Sequence, residues 1–466
     1  MYDPDLVDIV PHPPKAGAGA GGAGSAGRQH EAGAGAADGG MGGRGGTGGL
    51  AAGSGGAGTG GKGGAGGNGG GGGGGASGGA GAAGDGTMED AGMCMPQVED
   101  CCPTDANKTD PGVCGCGVAD DDSDRDGTPN CMDAAPYGWQ RRLTVDGTQV
   151  SAALTDFPLL VVLADAQLAA AAAASGADIY FTAEDRSALL DFELERYTSA
   201  TGALVAWVRI PTLYAAADTS FYLGYGDGKA DRSDPAGVWS GYHNVWHLAQ
   251  DPSQGAGSIK DSTGRAHGTP QGSMSASALM EGIAGAGLAF DGTDDEIAFT
   301  NDITGSGPST LSGWVYELDD DRDRGSSVVS IGNGNTGQAR FLLSSADNDR
   351  VKCGFYGNDD LATTVLDRGV WSFLTWTSDT DGTRVYVNGA SVLGPATHTG
   401  VNTTGTNGRI GNTTFMYTYF LTGRLDEVRI ATAARSAAWI AAEYANQRPA
   451  SSFIKPIGAP EAASNH

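Results

Sequence analysis

The sequence predicts an all-β protein: a smaller β-sandwich followed by a larger C-terminal one, behind a glycine-rich tether and a short disulfide-rich acidic segment. Three observations predict this. From Tyr137 onward, apolar and aromatic residues recur with period two, the alternation of half-buried strands. Asp-Gly and Asn-Gly pairs punctuate those runs, the chemistry of tight hairpin turns. Residues 16–86 hold 38 of the 80 glycines, and almost no large aliphatic or aromatic side chain interrupts them. The composition divides the chain into a tether (1–87), a Cys-rich segment (88–136), a β-sandwich (137–250), a second sandwich (251–457) and a tail (458–466).

The tether comes first. Runs such as "GGNGGGGGGGASGGAGAAG" bury too little apolar surface to offset their ordering entropy, and they lack the Gly-X-Y period of collagen. A coil of about 70 such residues has a root-mean-square reach on the order of 45–50 Å.

The next segment holds six of the seven cysteines: Cys94, Cys101, Cys102, Cys114, Cys116 and Cys131. An even number in a short, loop-rich stretch predicts a disulfide framework rather than zinc, whose ligand pairs keep C-x₂₋₄-C spacing. Disulfides in turn call for export, to the medium or the outer cell surface. The opening "MYDPDLVDIVPHPPKAG" lacks the basic and apolar regions of a leader, so the expectation is a miscalled start, a leader outside this chain, or another export signal. No apolar run nears the roughly 20 residues of a membrane span. The balance of 28 Lys plus Arg against 55 Asp plus Glu argues against nucleic acid as a partner.

Within the same segment, "DSDRDGTPNCMD" (122–133) places Asp122, Asp124 and Asp126 at positions 1, 3 and 5 of a twelve-residue loop. Gly127, Thr128, Asn130 and Asp133 follow at 6, 7, 9 and 12. Alternate oxygen donors around a tight glycine turn converge on one point, which suits Ca²⁺ with its six to eight oxygen ligands. Proline and glycine on both sides rule out the long flanking helices of an EF-hand. Asp133 stands at position 12, where that loop code has Glu, and the loop resembles the calcium-binding type 3 repeats of thrombospondin, without the Cys often found just after it. That resemblance implies a structural calcium clip.

In the first β region, "RRLTVDG", "FPLLVVLA", "DIYFTAED", "LLDFELERYT", "ALVAWVRIP" and "TSFYLGYGDG" predict six strands between 141 and 228. "LAAAAAASGA" (168–177) predicts a short helix or loop packed on them. "LTDFPLLVVL" (154–163), "GADIYFTAED" (176–185), "LVAWVRIPTL" (204–213) and "VWSGYHNVWHL" (238–248) resemble a bacterial domain family of unknown function found ahead of lectin-like domains.

In the second region, "STLSGWVYEL" (309–318), "TDGTRVYVNGASV" (380–392), "NGRIGN" (407–412) and "GRLDEVRI" (423–430) predict long antiparallel strands with tight turns. Ser436 is positioned to cap a closing helix on which Ile440 and Tyr444 share a face. The ordered set "W…YVNG…IGN…GRLDEVRI" resembles the concanavalin A-like, laminin G-like jelly roll. The resemblance implies two curved sheets and a rim of loops that bind glycans or proteins, sometimes with calcium.

Several side chains are candidates for chemistry. Asp291, Asp294, Asp295 and Asp426 could build a second calcium site, but their spacing is not a loop code, so turn, solvated and strand-end roles are the favoured reading. Tyr356, Asn358, Asp359, Tyr417 and Tyr419 lie in expected loops and could form a sugar platform, whereas Trp314 and Trp376 lie in strands and read as core. Cys353 reads as a buried free thiol. "DFELE" puts Asp191, Glu193 and Glu195 on one side of a strand, the only arrangement suggesting a two-carboxylate glycosidase. The family's acidic-x-acidic-x-x-acidic order is absent, so a solvated strand face is the favoured reading. His243 and His247 have metal-like spacing only on a helix, and read instead as strand or linker residues. The expectation is thus a secreted or surface, non-catalytic protein that binds a glycan or matrix polymer with structural calcium. A structural adhesion protein without a small ligand is the alternative, and a glycan hydrolase the least favoured.

Overall fold

The computed structural model describes residues 112, 113, 116, 120, 138–318, 325–347, 349–415 and 419–463. Every described residue lies in a single compact unit. The tether and the calcium loop, with Asp122, Asp124, Asp126, Thr128, Asn130 and Asp133, lie outside the described residues.

The first sandwich uses strands β1 (Trp139–Val145), β2 (Leu154–Ala164), β3 (Tyr180–Ala183), β4 (Phe192–Thr198), β5 (Ala203–Leu213) and β6 (Thr219–Tyr225). These are the six runs that alternation predicts. The alanine-rich stretch supplies helix α1 (Ala166–Ala171), capped by Asp165. A second short helix, α2 (Pro235–Val238), starts at Asp234 with proline at its first position, where a missing N–H costs nothing.

The second sandwich is a jelly roll of two antiparallel sheets. Its strands in chain order are β7 (Asn244–Trp246), β8 (Thr269–Gln271), β9 (Leu279–Glu281), β10 (Ala286–Asp291), β11 (Glu296–Thr300), β12 (Ser309–Glu317), β13 (Ser326–Gly332), β14 (Ala339–Ala346), β15 (Arg350–Phe355), β16 (Asn358–Val365), β17 (Trp371–Asp379), β18 (Gly382–Val387), β19 (Ala390–Ala396), β20 (Asn407–Ile410) and β21 (Thr422–Ala431). One sheet runs β19-β18-β17-β12-β21-β10-β9, with β7 also pairing β21; the other runs β16-β15-β14-β13-β20-β11-β8. Helix α3 (Ala437–Gln447) closes the domain. Its Ser436 side chain accepts the Trp439 N–H, and Ile440 and Tyr444 pack on Trp314 of β12.

The two sandwiches exchange elements. β7 follows the first sandwich in sequence but adds to the jelly-roll sheet, pairing Val428 with Trp246 and Ile430 with Asn244. Its side chains alternate between two cores: Val245 packs into the first and Trp246 into the second. In return, the segment after α3 goes back to the first sandwich. Ile454 bridges to Val145, and β22 (Glu461–Ala462) pairs with β1. Phe453 is fully buried against Phe157.

The expected fold class requires one correction. No disulfide joins two described residues, so a disulfide-rich framework is not part of the fold that they form. Cys353 is a buried free thiol on β15, and of the other six cysteines only Cys116 lies among the described residues. The physical reason is size: two continuous apolar cores hold these sheets, whereas cross-links serve small domains that cannot build a core.

Candidate functional site

Alternation along β14 places Leu342 in the jelly-roll core and turns Phe341 and Leu343 to the outer face of the sheet. The loop from β20 to β21 crosses this face and lays Phe415 on it. Phe415 stacks on Tyr356 at 4.5 Å between centroids and 19° between planes. It meets Phe341 edge-on at 5.3 Å and Tyr419 at 6.2 Å. Tyr356 and Tyr419 are half-buried. Tyr356 sits in the β15–β16 turn, where Gly357 takes φ +79° and its N–H donates to Asp359. Lys352 Nζ lies 3.0 Å from Asp359 and 3.1 Å from Asp347, which fixes a charged border beside the rings. The structure therefore brings together Tyr356 and Tyr419 around Phe415, while Asn358 and Asp359, expected in a loop, open strand β16 just after Tyr356. It adds Phe415 and Phe341, whose aromatic character alone gave no reason to place them at a surface. Tyr417 lies outside the described residues.

At the end of β10, Asp291, Asp294 and Asp295 offer carboxylate oxygens within 4.8 Å of one another, close enough to hold a metal ion. The turn makes this contact: Asp291 Oδ1 accepts the N–H of Thr293 at 2.7 Å, and Asp295 Oδ2 accepts that of Asp291 at 3.1 Å. Burial, with Asp291 adding to it, pushes the Asp295 carboxyl up to about 6. Asp426 is not a member of this group. It is fully buried elsewhere on β21, and its Oδ2 accepts the N–H groups of Ile283 and Ala284.

The third concentration of polar groups lies where the sandwiches meet, and two β-bulges create it. On β4 the pairing with β5 shifts between Leu194 and Arg196, leaving Glu195 as the extra residue. On β21 the pairing with β12 shifts between Arg429 and Asp426, where Glu427 takes φ +53°. That bulge keeps Leu425 and Val428 in the core and turns Asp426, Glu427 and Arg429 together towards the first sandwich. His247, just after β7, stacks on Trp207 at 5.7 Å and 21°. Its Nδ1 lies 2.7 Å from Glu427 Oε1, and its Nε2 lies 3.2 Å from Glu193 Oε2. Arg429 donates to Glu427 at 2.5 Å and to Glu443 of α3 at 2.6 Å, between the rings of Trp207 and Trp239.

Electrostatics sort these groups. Burial pushes the Glu195 carboxyl up to about 8, and it pushes Asp426 well above the carboxylate range with Glu427 and Glu195 adding to the effect. Burial opposes ionisation of Glu427 too, but His247 and Arg429 outweigh it and lower its pKa. Glu195, His247 and Glu427 are close enough to share an ion. However, Trp207 already donates to Glu195 Oε2 and Arg429 to Glu427, and both nitrogens of His247 are engaged. The cluster is an ion network between domains.

This geometry decides the "DFELE" reading. Asp191 precedes β4 and pairs with Arg209, away from the other two. Glu193 and Glu195 do face one way, but into the junction, where their side chains are 15 % and 3 % exposed. They form neither a solvated face nor an open cleft. His243 does not join His247; it pairs with Asp302 at 2.5 Å.

Residues 291–441 match the family described as the concanavalin A-like lectin/glucanases superfamily, and residues 175–247 match a domain of unknown function. No curated protein matches. Among solved structures, one similar chain is domain 4 of an extracellular arabinanase from Geobacillus stearothermophilus in complex with arabinotriose. It has 17% identity and a TM-score of 0.35, with 43% of this chain and 96% of that one covered. Another is the botulinum neurotoxin serotype D binding domain, at 12% identity and TM-score 0.34, covering 44% and 52%. A Trypanosoma rangeli sialidase mutant matches at 10% identity and TM-score 0.32, covering 44% and 33%. The family matches thus place a region similar to concanavalin A-like lectins and glucanases after a domain of unassigned role.

Proposed function

We propose that this chain is a secreted or cell-surface binding protein whose jelly roll recognises a glycan or matrix polymer. The observation that carries the reading is the pair of half-buried tyrosines, Tyr356 and Tyr419, packed around the buried Phe415 on an outer sheet face. Flat rings offer apolar area to the C–H face of a sugar. The neighbouring Asn358, Asp359 and Lys352 supply the few polar groups that fix orientation. Calcium is the cation suited to the all-oxygen donor set of Asp291, Asp294 and Asp295. The loop of Asp122, Asp124, Asp126, Thr128, Asn130 and Asp133 is proposed as a second, structural calcium site on its spacing alone.

The test is a glycan array probed with the full chain in calcium, beside a Tyr356→Ala, Tyr419→Ala double variant. Selective binding by the wild type, with at least a tenfold loss in the variant, is expected. Equal binding by both proteins would move the ligand site elsewhere. An array without a single wild-type ligand would sink the glycan reading and leave a structural adhesion protein in its place.

A further inference from the structure

We propose that His247 is a protonation-operated clamp between the two sandwiches. With both ring nitrogens protonated, it ties Glu193 of the first sandwich to Glu427 of the jelly roll. Loss of one proton in alkali loosens the junction.

The argument begins with hydrogen-bond inventory. Ionised carboxylates only accept, so each ring nitrogen facing one must carry a proton. Nδ1 faces Glu427 Oε1 at 2.7 Å and Nε2 faces Glu193 Oε2 at 3.2 Å. A neutral imidazole has one N–H and would set a lone pair against the other carboxylate. Neither carboxylate is free to turn away. Glu193 also accepts from Trp239 Nε1 at 2.5 Å and Ser262 Oγ at 2.7 Å, while Arg429 holds Glu427 at 2.5 Å.

The charge balance points the same way. Facing the ring are Glu193 and Glu195 from β4 and Glu427 from β21, with Asp426 and Arg429 of β21 acting on Glu427. Glu443 of α3 and the Tyr242 hydroxyl stand behind Arg429. Arg429 bonds both Glu427 and Glu443, so one positive charge serves two carboxylates there. Glu195 Oε1 and Asp426 Oδ1 are buried without hydrogen-bond partners, as suits carboxyls held neutral. Glu193 then depends on the imidazolium for its compensating charge. Deprotonating the ring leaves a carboxylate uncompensated at a buried domain junction, a costly arrangement.

The direction in pH follows. Burial lowers the proton affinity of His247, but Glu427, Glu193 and Glu195 outweigh it and raise the pKa well above its ordinary value. A raised value contributes stability that is fully present below about 6.5 and is lost as pH rises through the folded value. Glu195, raised to about 8, loses stability in the same direction, between the ordinary carboxylate range and about 8. Alkali therefore opens this junction and mild acid holds it closed.

Thermal unfolding of the full chain from pH 6 to 10, followed by tryptophan emission, tests the clamp beside a His247→Gln variant. Trp207 and Trp239 line the cluster and report on it. Ring ¹⁵N shifts of His247 are recorded on the wild type. Two protonated nitrogens at pH 7 are expected. The wild-type melting temperature should also fall, relative to the variant, by about 5 °C between pH 7 and 10. A neutral ring at pH 7, parallel pH profiles of the two proteins, or stoichiometric zinc on His247 would each overturn the proposal. Should His247→Gln fail to fold, the wild type decides alone. Loss of a ring proton coinciding with the emission change supports the clamp, and two unrelated transitions reject it.

Discussion

Glu427 adopts a left-handed backbone conformation in the middle of a strand, at φ +53°. Glutamate disfavours that region, and such strain costs on the order of 1–3 kcal/mol, so the surroundings must offset it. They do so with Arg429 and His247, which occupy both of its oxygens. Arg429 itself is 1 % exposed, lies 4.4 Å from the Trp207 ring centre and 4.8 Å from that of Trp239, and bonds two carboxylates. Removing one partner of a buried ion network strands the others. Arg429→Leu is therefore expected to destabilise the protein by about 3–5 kcal/mol in chemical denaturation. A loss under about 1 kcal/mol would mean that the network contributes little net energy. Gly285 is the second sensitive position: a Cβ there would lie 2.4 Å from Glu195 Oε1, at φ +81°. Gly285→Ala should lower stability by roughly 1–3 kcal/mol, measured the same way.

Among the elements, helix α3 and the segment after it contribute most to joining the domains. Asn446 reaches across to β2, accepting the Leu160 N–H at 2.7 Å and donating to its carbonyl at 3.0 Å. Phe453 fills the first core beside Phe157. Phe453→Ala should cost about 3–5 kcal/mol, and the loss should appear in the first sandwich although the residue lies far along the chain. Hydrogen exchange resolved by segment would check this: faster exchange in β1 and β2 is expected, and unchanged exchange there would contradict it. These elements also show what the sequence made legible. Six strands of the first sandwich and the Ser436 cap follow local rules of alternation and capping, and they stand where those rules put them. Three residues of β7 and two of β22 are too short for any period to declare, and their pairing partners lie some 180 and 320 positions away. The bulges escaped for a related reason. Alternation through "GRLDEVRI" assigns successive residues to opposite faces, so only a break in register reveals that Asp426 and Glu427 share one. Likewise, Tyr356 and Tyr419 were legible as loop aromatics, but their meeting around Phe415 depends on a loop crossing the sheet.

For the whole molecule, exchange of β7, β22 and Phe453 makes two sandwiches one cooperative body. Calorimetry on the full chain should show a single transition for residues 138–463. Two well-separated transitions would contradict the coupling. A fragment ending at residue 250 would lack Phe453 and β22, and a fragment beginning at residue 251 would lack β7. Both are expected to give broad, weakly cooperative melting, so ligand and calcium measurements belong on the intact chain. Calcium at millimolar concentration should raise the melting temperature of the wild type more than that of an Asp295→Asn variant; equal shifts would clear the Asp291–Asp295 turn of any role in binding it.

The return of β22 to β1 has a mechanical consequence. Trp139 and Ala462 are register partners, so the chain enters and leaves the folded body side by side. Tension arriving from the N-terminal side falls first on β1, which is zipped along seven residues to β6 and braced at its start by β22. A ligand on the proposed aromatic face of the jelly roll would pull on the other sandwich. A load between that face and β1 would cross the domain junction that holds the His247 cluster, and the grip of that junction would set how much force the protein withstands.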